Sequence, residues 1–347
     1  CNTVKGIGLS VTDPDLVNRY TAVPVKIRGK VIPSNTQVTP ELAAQAKAAK
    51  VSKLVVRSSL KCEEPRGLCS KCYGVSEEGR DLPVGTNIGV ISGQVLGEKT
   101  TQAALRSFHQ GGIAGTKAKV MGSLDRITQL LKLPEKLPDA AALSPSAGTI
   151  SAVSKSPAGG YDVKIGKDSV HVSADKALLV KKGDKVKRGQ QVSSGFINPQ
   201  ELLGLTNMDT VQRYLTTELH KVFAADGVKK RNIEVVLRPL TNLALVEDSG
   251  DSDELVRGDF VSMSHANALN RKLKTPIKYR PILRGIETLP LDQSTDWLAR
   301  LQYRRLKETL LNGAQEGWKA ELHGLHPTPA ASYSAEFGRG EKGKAGY

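Results

Sequence analysis

The sequence predicts an α+β chain with four parts: a cysteine-knuckle region, a helical hairpin, a small barrel-like β module and a mixed helical C-terminal region. Three observations predict it. The apolar pattern switches to period two between Ser144 and Ile197, with helical spacing on both sides of that stretch. Cys62, Cys69 and Cys72 stand as C-x6-C-x2-C, with a fourth cysteine, Cys1, far upstream. The run G-E-K-T-T-Q-A-A-L-R-S-F-H-Q-G-G, Gly97 to Gly112, puts polar, ligand-type side chains on one face of a helix. Boundaries read from these changes are 1–83, 84–138, 139–200, 201–334 and a polar, Gly-rich, disordered tail over 335–347.

Each element follows from local pattern. Val23–Pro33 alternates apolar and basic residues and reads as a strand pair around Gly29. Pro40–Lys53 is Ala-rich and helical with Pro40 in its first turn, and Val51–Ser58 reads as a strand. Val84–Leu96 reads as an apolar helix with Ile88, Ile91, Val95 and Leu96 buried; Gly85, Gly89, Gly93 and Gly97 permit close approach of another helix. Ser123 caps a helix whose apolar face is Leu124, Ile127, Leu130 and Leu131, paired antiparallel with the preceding helix and ended by Pro134 and Pro138. Five short strands follow: 148–154, 161–166, 169–173, 177–180 and 190–197. His171 reads there as an exposed strand residue. Lys181, Lys182, Lys185, Lys187 and Arg188 form either a DNA-facing cluster or a solvated turn. A helical run from Asn198 to Gly227 carries Val211, Tyr214, Leu215, Leu219 and Val222 at helical period. Arg231–Leu240 is a short element, and Asp248, Asp251, Asp253 and Glu254 lack the spacing of a calcium loop. Asp296–Leu311 reads as a basic amphipathic helix with Leu298, Leu301, Leu306 and Leu310 inside.

The cysteines suit a structural metal. A C-x2-C followed by Tyr73-Gly74 is a knuckle that turns both thiolates toward one ion, and four sulfurs complete a tetrahedral Zn²⁺ site with no open position. Cys1 joins the set if a folded excursion of sixty residues returns the chain to the knuckle. Two disulfides in a secreted domain, or a redox C-x-x-C, are the competing readings; neither has its expected sequence context.

The Gly97–Gly112 run suits a nucleotide. On a helix, Gln102, Leu105, Arg106 and His109 share an arc of roughly 100°, opposite the small residues Ala103, Ala104 and Ser107. Arg and protonated His neutralise phosphate, an amide bonds sugar or base, and Leu covers a base ring. Gly111 and Gly112 stop the helix, so that it reads either as a lid with a mobile tip or as an ordinary amphipathic surface helix.

A net charge of +15 over 347 residues fits either a polyanion partner or a solubility device. No apolar run approaches about 18 residues, which excludes a membrane span by sequence. The start at Cys1, with no signal peptide or initiator Met, reads as a processed or trimmed piece.

The run Gly89–Gly112, G-V-I-S-G-Q-V-L-G-E-K-T-T-Q-A-A-L-R-S-F-H-Q-G-G, resembles the trigger loop of the beta-prime subunit of bacterial-type multi-subunit DNA-dependent RNA polymerase. C-x6-C-x2-C-Y-G resembles that subunit's second zinc site, and L-D-R-I-T-Q-L-L resembles its second trigger helix. G-V-K-K-R-N-I-E-V-V-L-R, G-D-F-V and A-N-A-L-N also have counterparts, so that the resemblance extends from Cys1 to about Pro327. It departs at Leu105, where the family usually has Met, and at Lys99-Thr100, where it often has Pro-Gly. The resemblance implies a trigger-loop hairpin closing over an incoming NTP. Gln102 would contact ribose, Leu105 would stack on the base, Arg106 would approach the phosphates and His109 the triphosphate, either as proton donor or as a positioning group. It also implies that Cys1, Cys62, Cys69 and Cys72 hold structural Zn²⁺, and that 139–200 is a jaw-like barrel-sandwich hybrid. No D-x-D-x-D stands in the chain, so the catalytic Mg²⁺ would be held by residues elsewhere in the complex. Implied partners are the beta, alpha and omega-like subunits, the N-terminal part of beta-prime, DNA template, RNA and NTPs, with no membrane. The location would be cytoplasmic, in a host cytoplasm for a viral source, or organellar. The competing class is a zinc-stabilised nucleic-acid-binding or scaffold module with no catalytic part.

Overall fold

The computed structural model describes residues 1, 3–65, 67–76, 78–109, 125–289 and 306–317, with backbone alone for 103–109, 225, 306, 308, 309 and 316. They form an α+β chain in two compact units, one of residues 1–128 with the chain from 218 onward, the other of 129–217.

In the first unit, β1 (Ile7–Ser10) pairs antiparallel with β4 (Lys53–Val56), Ile7 opposite Val56. The hairpin of β2 (Val25–Ile27) and β3 (Lys30–Ile32) turns through Arg28 and Gly29, both at positive φ. Between them and β4 lies α1 (Pro40–Ala48), whose first turn is closed by the Thr39 hydroxyl accepting from the Leu42 amide at 3.3 Å. Lys50, at φ 57, turns the chain out of the helix, so that α1 stops short of the expected Lys53. Leu9, Leu16, Ile27, Val38, Leu42, Ala46, Leu54 and Val56 make the core.

The knuckle helix α2 (Ser70–Tyr73) and the long helix α3 (Ile88–His109) follow. The pattern predicts a helix from Val84 and a separate one from Thr101; the structure has one helix of 22 residues. It starts later because Gly85 takes φ 93, and Asn87 then caps the first turn by accepting from the Val90 amide at 3.1 Å. It continues through Gly97, each interior glycine costing only about 1 kcal/mol. The buried positions are Ile88, Gly89, Ser92 and Leu96, whereas Ile91 is 40% exposed. The stripe is rotated from the expected one because its third member is a serine, invisible to a count of apolar residues. The glycine spacing does not serve close helix packing at Gly93 or Gly97, where a Cβ would meet nothing within 4 Å. Helix α4, over 125–132, buries Ile127 and Leu130; Ser123 and the tip at 110–124 lie outside the described residues.

Helix α7 (Lys230–Thr241) packs against α3 and is buried on every side, from Ile233 through Leu240. A helix without a solvent face is a core element. The sheet that follows has β9 (Leu243–Asp248) between β10 (Phe260–Ser262) and β11 (Lys278–Ile282), with α8 (Met263–Asn270) against it. Asp248 ends β9 and pairs with Lys278 at 3.1 Å, and the other acidic residues lie in the β9–β10 loop, where Asp251 accepts from the Thr275 amide at 2.8 Å. In α9 (Leu306–Glu316), Leu310 is 47% exposed, contrary to the inward position its spacing predicts; residues 290–305 lie outside the described set.

The second unit centres on a four-stranded antiparallel sheet ordered β7 (Asp168–Val172), β6 (Tyr161–Ile165), β5 (Gly148–Lys155), β8 (Lys185–Val186). Ile150, Val163, Ile165, Val172, Val180, Val186 and Val192 form its core. Three of the five expected strands are present. The stretches 177–180 and 190–197 make only isolated bridges, among them Leu178 to Ser193 and Leu143 to Gln191, because Gly183, Gly189 and Gly195 turn the chain at positive φ between them. His171 is exposed, its Nδ1 2.8 Å from Asp162, and the five basic side chains at 181–188 are exposed as well. The expected single helix after Asn198 is two, α5 (Pro199–Leu205) and α6 (Met208–Phe223), because Thr206 leaves helical geometry; Val211, Leu215 and Leu219 are fully buried.

Candidate functional site

Four sulfurs meet in the first unit. The Ser59–Lys61 turn delivers Cys62, Cys69 caps α2, and Cys72 sits inside that helix. Cys1 arrives from the far end of the stretch, its Sγ 3.5 Å from Cys72 and 3.6 Å from Cys62. All four Sγ atoms lie within 4.8 Å of one another. A tetrahedral ion with metal–sulfur bonds of 2.3 Å needs sulfurs about 3.8 Å apart. The donor set therefore fits such an ion. As free thiols they would share protons unequally: hydrogen bonds with Cys62 and Cys72 hold Cys69 far below the ordinary thiol range, while hydrogen bonds with Cys62 and Cys69, and burial, push Cys72 up.

Buried charges hold the loops. Arg57 Nη2 donates to the Cys1 carbonyl at 2.8 Å and the Thr3 carbonyl at 3.2 Å. Arg238, from α7, donates to the carbonyls of Gly67, Cys62 (3.3 Å) and Glu64 (2.9 Å), spanning the turn between the first two cysteines of the triplet. Arg19 meets Glu234 through both nitrogens at 2.8 Å, and Ser58 donates to the same carboxylate at 2.7 Å. The sequence reading passed over Arg19, Arg57, Glu234 and Arg238. The signal for two of them is a charge inside an apolar run, Arg57 in V-V-R-S and Glu234 in I-E-V-V.

The knuckle also reaches α3. The Tyr73 hydroxyl donates to Asn232 Oδ1 at 3.2 Å, and the fully buried Ser92 hydroxyl reaches the same oxygen at 3.4 Å. Asn232 thus ties the end of α2 to the first turns of α3 through α7. Further along α3, Gln102 bonds Glu98 at 2.8 Å and accepts from Lys99 at 3.3 Å. Leu105, Arg106 and His109 continue the same helix; their side chains lie outside the described residues.

Among the described residues the four cysteines are the one group of metal-ligating side chains drawn together. Asp13 is engaged by Lys230, and Asp15 accepts from the Lys230 amide at 3.2 Å. No helix among the described residues is long and apolar enough to cross a membrane.

The family model "RNA polymerase Rpb1, domain 5" matches residues 73–157. The DNA-directed RNA polymerase subunit beta′ of Malacoplasma penetrans is 29% identical over 372 residues, covering 99% of this chain and 29% of that protein. Those of Thermus thermophilus and Bacillus pumilus are each 31% identical, over 82% and 89% of this chain and 19% and 27% of their own length. The chain thus spans less than a third of the curated relatives it matches. With the matches running over nearly all of it, the chain belongs to the RNA polymerase beta-prime subunit family and corresponds to one region of that subunit.

Proposed function

We propose that this chain works as part of a DNA-directed RNA polymerase and supplies the lid that closes over the incoming NTP. In this reading α3 and α4 are the two arms of the trigger-loop hairpin, within 84–138. Gln102 meets ribose, Leu105 covers the base, and Arg106 and His109 are the catalytic pair that approaches the triphosphate. The observation that carries the reading is α3 itself: a 22-residue helix whose first turns are anchored on α7 and whose last turns hold those four residues in helical register. Closure would act by positioning and by stabilising charge on the transferring phosphate.

The remaining assignments complete that reading. Residues 1–83 form the metal-binding base, 139–200 a jaw-like barrel-sandwich hybrid, and 201–334 the helical C-terminal region. A zinc ion held by Cys1, Cys62, Cys69 and Cys72 would cross-link three segments of the base without an open coordination position. The carboxylates for catalytic Mg²⁺, the beta, alpha and omega-like subunits, template and RNA belong to the rest of the complex.

The test is Arg106→Ala and His109→Ala in the assembled polymerase. Each is expected to slow nucleotide addition about 10²–10³-fold, the scale for losing one transition-state charge contact, with DNA affinity nearly unchanged. Unchanged turnover would remove the lid from this region.

A further inference from the structure

Among the described residues, two buried arginines beside the four sulfurs have no acidic partner. Arg57 is 2% exposed and Arg238 3%. A guanidinium is charged at every accessible pH, and burying it without counter-charge is costly. Arg19 shows the usual remedy, a carboxylate at 2.8 Å. Among the described residues no carboxylate oxygen lies within 4.0 Å of Arg57 or Arg238. Among the described residues their partners are backbone carbonyls, the Asn35 side chain and the Cys1 sulfur, and the Arg57 Nε makes no hydrogen bond. Both stand beside the cysteine cluster, where four potential thiolates lie within 4.8 Å of one another. Arg57 Nη2 lies 3.7 Å from Cys1 Sγ, and Arg238 donates to the Cys62 carbonyl at 3.3 Å.

We propose that Arg57 and Arg238 are the counter-cations of a four-thiolate metal centre, which they neutralise and orient from outside the ligand shell. This rests on the zinc reading above. Four thiolates around one divalent ion carry a net charge of −2, and two guanidiniums balance it. The ion deprotonates all four cysteines, so that metal binding supplies the missing partners of the two buried cations. Groups placed just outside the ligands commonly tune affinity in this way. The alternative is that both arginines act only as hydrogen-bonding clamps on loop carbonyls, and charge distinguishes the two: glutamine keeps donors and loses charge, whereas lysine keeps charge and loses the planar fork.

The experiment uses the full chain loaded with one equivalent of zinc. Zinc transfer to excess 4-(2-pyridylazo)resorcinol is followed for the parent chain and for Arg57→Gln, Arg57→Lys, Arg238→Gln and Arg238→Lys. Each glutamine variant is expected to release zinc about 10- to 100-fold faster, and its lysine counterpart to recover most of that loss. Equal losses for glutamine and lysine would reduce the arginines to clamps and overturn the proposal, as would parent-like release from both glutamine variants. If one glutamine variant does not fold, the pair at the other arginine makes the same comparison. A parent chain that takes up no zinc would overturn the metal reading itself, whereas a zinc-loaded parent with unaffected glutamine variants overturns only the counter-cation role.

Discussion

Arg19 and Glu234, 215 residues apart in sequence, meet through two parallel 2.8 Å hydrogen bonds in a fully buried pair. Burial disfavours the Arg19 charge, but Glu234, together with Asp15 and Asp13, outweighs it and holds the guanidinium above its ordinary range. The pair fastens the segment before β2 to α7, and Ser58 shares the carboxylate. Breaking it from one side leaves a buried charge alone. Glu234→Gln or Arg19→Met is therefore expected to cost about 3–5 kcal/mol in urea unfolding, and the double replacement by apolar residues less than the sum of the two. Additive losses would mean the two residues act independently.

Gly74 follows the knuckle at φ 100, and a Cβ there would stand 2.4 Å from the Asn18 carbonyl oxygen, itself the acceptor of the Val75 amide. Gly29 takes φ 82 with nothing near. Gly29→Ala should therefore show backbone strain alone, about 1–2 kcal/mol. Gly74→Ala should cost more, because the backbone must also move, and should loosen zinc retention with it. Equal melting points for the two variants would contradict the close approach at Asn18.

His220 gives the fold an acid sensitivity. Burial, then the Lys230 charge, lowers its pKa below the ordinary 6.5 against the opposing pull of Asp15, 3.7 Å away, and Asp13. The unfolded chain therefore binds this proton first as pH falls. Stability from the neutral imidazole is present above about pH 6.5 and is lost as pH drops from there through the folded value. His220→Gln should flatten the melting-temperature curve between pH 7.5 and 5 relative to the parent; parallel curves would show that His220 titrates alike in both states.

Much of the chain was legible from local pattern. The β2–β3 hairpin about Gly29, three of the five period-two strands of the second unit, the knuckle turn and the helical register of Gln102, Leu105, Arg106 and His109 follow from periodicity and turn chemistry, which act over a few residues. The C-x6-C-x2-C spacing likewise marked three of the four cysteines whose sulfurs meet. Local pattern could not say that Cys1 joins them, that α3 runs unbroken through Gly97 with Ser92 as its buried polar anchor, or that Arg19, Arg57, Glu234 and Arg238 lie in the interior. Those outcomes depend on contacts between residues tens to hundreds of positions apart. A serine or an arginine is buried where another segment supplies its hydrogen bonds, and that segment is chosen by tertiary packing, not by its neighbours in sequence.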